Sequence, residues 1–120
     1  MADAGNTGIK RIIRAAGFSY KGFVACFRHE AAFRQEMALS VLLIPLALWL
    51  GNNTLERAVM IGVWLIVPTV EMLNSGIEAV VDRISDEQHP LAGRAKDLGS
   101  AAVFLSFTNA AVVWAILLLG

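Results

Sequence analysis

The chain has a single cysteine, Cys26, so an internal disulfide is excluded and the thiol is expected to act as a small packing group. Histidine is almost as scarce. His29 and His89 stand isolated in the sequence, and no Cys/His spacing for a metal cluster is present. There is no net charge: ten basic residues balance ten acidic ones, which removes any global pull toward nucleic acid. The first residues, MADAGNTG, carry no basic stretch followed by an apolar one, so a cleaved signal peptide is not expected. No lipidation pattern, internal repeat, low-complexity segment or domain boundary is visible, and residues 1–120 are expected to form a single unit.

What the chain has in excess is apolar surface. It is 57% hydrophobic, with a mean hydropathy of +0.61. A soluble domain of 120 residues has too high a surface-to-volume ratio to hide that much apolar surface. Lipid must be part of its solvent. Residues 1–7 are expected to be disordered. From about residue 8 to 29, Ile9, Ile12, Ile13, Ala16, Tyr20, Phe23, Val24 and Phe27 recur at helical steps. Lys10, Arg11, Arg14, Lys21 and Arg28 occupy the other positions. This pattern predicts an amphipathic helix lying in the membrane interface. Gly17 and Gly22 weaken it and mark a possible bend.

Three apolar spans follow, at about 31–50, 55–81 and 98–119. In the first, Arg34 and Glu36 are expected at the interface, Pro45 as a kink, and Trp49 at the far interface. GNNT, residues 51–54, predicts a tight turn with Thr54 capping the next helix. Residues 82–97 predict a polar connection before the third span. Three spans place the termini on opposite sides. Nine basic residues (Lys10, Arg11, Arg14, Lys21, Arg28, Arg34, Arg83, Arg94 and Lys96) flank one side, and only Arg57 flanks the other. The positive-inside rule then puts the N-terminus in the cytoplasm and the C-terminus outside it.

The second span does not stay apolar. At 100° per residue, Glu71, Asn74, Ser75, Glu78 and Asp82 share one face, running from within the span to its cytoplasmic end. Glu71 lies about 10 Å deeper than Glu78. An acidic side chain at membrane depth costs roughly 2.5–3.5 kcal/mol on insertion scales, so residues placed there mark function by default. Their plainer reading is helix glue through Arg or backbone partners. Carboxylates with an Asn amide are oxygen donors suited to a hard cation such as Mg²⁺. In the cytoplasm Mg²⁺ mostly accompanies phosphates. Glu30, before the first span, is placed to share a metal with Glu78. HPLAGRAKD, residues 89–97, offers Arg94, Lys96 and a backbone expected to be free to donate hydrogen bonds. Glu71, held deep, suits general-base work on a hydroxyl arriving from the lipid. No soluble nucleotide-binding signature supports this: GxxxxGK[ST], HRD and GxGxxG are all absent. A second reading is a small cation or proton conduit, although AVMIGVWLIVP, residues 58–68, carries no polar relay.

EAAFRQE (30–36), VEMLNSGIEAVVDRI (70–84) and GRAKDLGSAAV (93–103) together resemble the bacterial integral-membrane diacylglycerol kinase family. The resemblance runs from about Thr7 to Leu118. It implies an all-α membrane protein of an interfacial helix and three transmembrane helices, assembled as a homotrimer in the bacterial inner membrane. It implies phosphorylation of diacylglycerol by MgATP to phosphatidic acid. An undecaprenol kinase, which uses a long isoprenoid alcohol, is the near alternative.

Residue by residue, the resemblance implies Glu71 as the general base and Glu30 and Glu78 as the metal-binding carboxylates, with Asn74 supporting them. It places Arg11, Phe18, Glu30, Glu78, Glu87, Gln88, His89, Lys96 and Asp97 at the nucleotide. It places the lipid along the interfacial helix at Arg11, Ala15, Ala16, Gly17, Phe18, Ser19, Tyr20, Val24, Ala25, Cys26 and Phe27. The same lipid is implied at Ala32, Phe33, Arg34, Gln35 and Glu36, at Trp49, Leu50, Gly51, Asn52 and Arg57, and at Glu71, Ser100 and Trp114. Phe18 and Gln88 stand where familiar members carry Tyr, and Gly76 stands where Ala is usual.

Overall fold

A computed structural model of the chain describes residues 8–84 and 87–120. The disorder expected of residues 1–7 lies outside the described residues. Four helices follow one another: α1 Ile9–His29, α2 Ala31–Leu50, α3 Thr54–Ile84 and α4 Pro90–Leu119. Helices α2, α3 and α4 are each long and apolar enough to cross a membrane. The expected all-helical architecture is observed, with longer second and third spans than the hydropathy alone outlines.

The strongest packing joins α3 to α4, and α2 lies against α3. Val67, Trp64 and Ala110 form the buried centre, with Leu43, Ile44 and Val63 packed around it. The Trp64 and Phe107 rings meet edge-on, centroids 6.1 Å apart. Two indoles tie the helices by their N–H groups. Trp64 Nε1 donates to Ser40 Oγ of α2 at 2.8 Å, and Trp114 Nε1 donates to the Met60 carbonyl of α3 at 3.0 Å. A buried indole N–H needs such a partner, because no water reaches it there. Large apolar side chains such as Val41, Trp49, Phe104 and Leu119 face outward, as a surface covered by lipid or by a neighbouring chain requires.

Helix α1 carries its apolar residues, Ile9, Ile12 and Ile13 among them, exposed. It is continuous through Gly17 and Gly22. It ends because Glu30 takes an extended conformation, φ −118° and ψ 107°. Arg34 then reaches back: its Nη1 donates to the Phe27 carbonyl at 2.8 Å and the Arg28 carbonyl at 3.1 Å. Those carbonyls have no intrahelical donor, and the guanidinium supplies one. Arg34 therefore has a defined task at the α1–α2 junction.

The turn between α2 and α3 is a reciprocal cap, and Thr54 is not its capping residue. Asn53 Oδ1 accepts from the Glu56 N–H at 2.9 Å, while Glu56 Oε1 accepts from the Asn52 N–H at 3.1 Å. Thr54 is already helical. Arg57 Nε donates to the Gly51 carbonyl at 3.2 Å. A Cβ on Gly51 would come within 2.6 Å of Arg57 Cγ and 3.1 Å of the Ala47 carbonyl oxygen, so only glycine fits. Pro45 lies inside α2, which continues through it.

The polar connection is shorter than expected. His89 caps α4, its Nδ1 accepting from the Leu91 N–H at 3.1 Å, and Pro90 opens the helix. Arg94, Lys96 and Asp97 therefore sit on a helix. The backbone of 93–97 is not a free donor loop, because its N–H groups enter the helical ladder from Gly93 onward, whose N–H meets the His89 carbonyl at 3.0 Å.

Candidate active site

The polar face of α3 is graded in depth as its helical spacing demands. Glu71 and Asn74 are buried, Glu78 is half-buried and Asp82 is exposed. Against Glu71 comes a carboxyl of α2 that the sequence did not pair with it. Glu36 is only 3% exposed, and its carboxyl meets that of Glu71 within hydrogen-bonding reach. The pairing has a simple cause. Phe33, Glu36, Ser40 and Ala47 fall at steps of three, four and seven, so one inward stripe of α2 carries them all. The Ser40 hydroxyl donates to the Glu36 carbonyl at 2.8 Å and accepts from Trp64, which fixes this turn of α2.

Helix α1 contributes its C-terminal end. Cys26 is buried against Ser75 of α3, near Glu30, Glu36 and Glu71. Burial, with the carboxylates around it and against the opposing pull of a Ser75 hydrogen bond, pushes its thiol pKa up, which favours the uncharged thiol. Glu30 is half-buried beside this cluster.

Toward the membrane surface, Asn74 Nδ2 donates to Glu78 Oε1 at 3.0 Å. Asn74 Oδ1, Ser75 Oγ and Glu36 Oε1 are buried with no hydrogen-bond partner. Buried polar groups are normally satisfied, so three such atoms in one cluster mark a place where a ligand, water or ion belongs. Lys96 of α4 pairs with Asp82 at 2.8 Å, within electrostatic reach of Glu78. Beside that pair is a cavity of about 580 Å³, lined by Asp82, Glu87, Gln88, His89, Gly93 and Lys96. A second cavity, apolar and of about 500 Å³, lies between α1 and α2, lined by Phe23, Val24, Phe27, Arg28, Phe33 and Met37.

One chain thus brings together Glu71, Glu36, Asn74, Glu78 and Lys96 along a single line, with Glu87, Gln88 and His89 at its mouth. It brings Val24, Phe27 and Phe33 to the apolar groove, and adds Phe23, Arg28 and Met37, which were not expected at the lipid. Phe23 had a signal in the apolar stripe of α1; Arg28, on its basic face, and Met37, on α2, had none. Other expected residues stay apart. Arg11 and Phe18 lie exposed on α1 and do not line the α3–α4 cavity; Lys21 caps the Phe18 ring at 5.9 Å. Ala15, Ala16, Gly17, Ser19, Tyr20 and Ala25 lie along the same helix. Ala32 and Gln35 are exposed on the first turns of α2, and Asp97 and Ser100 on α4. Trp49, Leu50, Gly51, Asn52, Arg57 and Trp114 gather at the opposite end of the bundle, about 20 Å from Glu36 on the helix rise. Among the described residues of one chain, no three His, Cys, Asp or Glu side chains converge as a metal cage.

The site is thus a carboxyl pair inside a bundle of span-capable helices, below a charged cavity at its polar end, the arrangement of a membrane protein with a polar site open to water. The sequence matches the prokaryotic diacylglycerol kinase family over residues 17–118. It is 56% identical to the diacylglycerol kinase of Pseudomonas aeruginosa over 116 residues, 97% of this chain and 94% of that one. It is 51% identical to the diacylglycerol kinase of Escherichia coli strain K12 over 112 residues, 93% and 92% of the two chains. The Helicobacter pylori enzyme (strain 26695) is 37% identical over 107 residues, 89% and 84%. The chain belongs to the prokaryotic diacylglycerol kinase family, and is a bacterial membrane-embedded transferase that phosphorylates diacylglycerol.

Proposed function

We propose that this chain moves the γ-phosphoryl group of MgATP onto the free hydroxyl of diacylglycerol, with Glu71 as the general base. The hydroxyl oxygen bonds to the γ-phosphorus, the bond to the β–γ bridging oxygen breaks, ADP leaves, and the hydroxyl proton passes to Glu71. The observation that carries this reading is the depth order of one helix face. Glu71 is buried at lipid level, Asn74 and Glu78 are above it, and the Asp82–Lys96 pair opens on the polar cavity. A lipid hydroxyl enters from the apolar groove under α1. A nucleotide enters from the cavity by Glu87, Gln88 and His89, where the Lys96 ammonium faces its phosphates. Glu36, against Glu71, belongs to the same proton-handling corner.

The donor set fits a magnesium ion. Glu78 and Glu30 offer hard carboxylate oxygens, and Asn74 orients Glu78 through its Nδ2 hydrogen bond. Glu78 and Glu30 would hold the ion, which would supply positive charge against the negative charge that develops on the phosphates. The residues expected at the nucleotide but standing apart in one chain, Arg11 and Phe18, belong to a site shared between the copies of a homotrimer. Trp49, Leu50, Asn52, Arg57 and Trp114 would meet acyl chains rather than the reacting hydroxyl. Basic residues crowd the α1 and α3–α4 ends, which supports an N-terminus in the cytoplasm, a C-terminus in the periplasm and the inner membrane as location.

The test is ADP release in mixed micelles with MgATP, with and without dioleoylglycerol. Release that requires both lipid and Mg²⁺ is expected. Release unchanged when undecaprenol replaces dioleoylglycerol would move the substrate to another lipid alcohol, and release without Mg²⁺ would overturn the metal assignment.

A further inference from the structure

Glycine is a poor helix residue, roughly 1 kcal/mol worse than alanine. Five glycines inside α1, α3 and α4 (Gly17, Gly22, Gly62, Gly76 and Gly93) have open space where a Cβ would go. Gly99 of α4 differs. It is buried, and a Cβ there would overlap Asn74 Oδ1 and press on Asn74 Cγ at 3.0 Å. Asn74 is only 8% exposed and donates through Nδ2 to Glu78 Oε1. Lys96, one turn before Gly99, holds Asp82 on the same face of α3. Thus α4 closes over the polar stripe of α3 at two levels, by an ion pair outside and by a bare backbone inside.

We infer that Gly99 is a positioning residue for phosphoryl transfer. Its missing side chain lets α4 lie against the Asn74 amide, which locks that amide onto Glu78. This rests on Glu78 being a metal-binding carboxylate. The obstruction an alanine would create meets the tip of a side chain and not the backbone of α3. The bundle therefore keeps its fold, while the amide rotates away and Glu78 loses its donor. Partners that orient a metal ligand are worth roughly 10- to 100-fold in metal affinity.

The experiment is a titration of the full chain in detergent micelles with Mn²⁺ and a non-hydrolysable ATP analogue, followed by electron paramagnetic resonance. Gly99→Ala is expected to weaken Mn²⁺ binding by roughly 10- to 100-fold, with an unfolding temperature no lower than that of the parent. Gly76→Ala, in open space on α3, is expected to leave binding unchanged. In an Asn74→Ala background, Gly99→Ala should produce no further loss, since the two act through one contact. Equal losses in both backgrounds, or wild-type affinity in Gly99→Ala, would overturn the inference. Glu78→Gln separates the two levels of failure. If it weakens Mn²⁺ binding and Gly99→Ala does not, the positioning role alone falls. If neither does, the metal role of Glu78 falls and takes this inference with it. Should Gly99→Ala fail to fold, normal folding of the Asn74→Ala/Gly99→Ala double variant supports the same contact, and misfolding of both refutes it.

Discussion

The two ends of the bundle solve opposite problems. At the α2–α3 turn, Asn53, Glu56, Arg57 and Gly51 satisfy one another in a closed set of hydrogen bonds. At the other end lie Glu36 Oε1, Asn74 Oδ1 and Ser75 Oγ, buried and without partners. Each unsatisfied buried group costs about 1–3 kcal/mol. One end is thus arranged for stability. The other holds polar groups whose partners must arrive from outside the chain. Substitutions at the turn should therefore move stability and leave chemistry alone, and substitutions at the polar stripe should do the reverse.

The largest expected effect tests the second half of that statement. Glu71→Gln keeps size and burial but cannot take the proton. A positioned general base contributes roughly 10²- to 10⁴-fold in rate, so ADP release should fall by that factor. Melting of the purified protein should stay within a degree or two of the parent, or rise, since an amide is less costly than a carboxylate at depth. Near-parental turnover would remove Glu71 from the base position and leave Glu36 as the candidate.

That last possibility shows what was legible in the sequence and what was not. The polar stripe of α3 was legible because its members share one helix, so spacing alone places Glu71, Asn74, Glu78 and Asp82. The number of helices and their membrane character followed from apolar length. The opposing carboxyl was not legible. Glu36 is followed by a long apolar run and preceded by Arg34, a context that reads as an interface, and only the packing of α2 on α3 reveals its partner. The Gly99–Asn74 contact, across 25 positions of chain, has no local signal at all. The start of α4 did have one: Pro90 is a residue favoured at the first position of a helix. The polarity of GRAKD masked it.

At the turn the expected effects are on stability. Gly51→Ala forces a Cβ against Arg57 Cγ and the Ala47 carbonyl oxygen. Overpacking of this kind costs about 1–3 kcal/mol, visible as a lower melting temperature, with turnover at 25 °C unchanged. Asn53→Ala removes the oxygen that caps Glu56, for about 1 kcal/mol, again without a change in turnover. If either substitution lowered activity while sparing stability, the turn would be part of the lipid site, in line with the acyl-chain contacts proposed for Trp49 and Asn52.

The smallest expected effect lies where the two ends are joined. Trp64 Nε1 holds Ser40 Oγ, and that hydroxyl in turn holds the Glu36 carbonyl. Phenylalanine at 64 keeps a ring to pack near Phe107 but cannot donate. Hydrogen bonds between helices in membranes average roughly 0.6 kcal/mol, with a maximum near about 1.7, so Trp64→Phe should lower the melting temperature slightly. The Ser40 hydroxyl keeps its own acceptor, and the turn carrying Glu36 should hold its place. Activity should then remain within about threefold of the parent, since 0.6 kcal/mol corresponds to roughly that factor even if all of it were lost from the transition state. A fall of tenfold or more with an unchanged melting temperature would mean that this relay sets the position of Glu36 against Glu71. The division between a stable end and a reactive end would then run through Trp64 and not beside it.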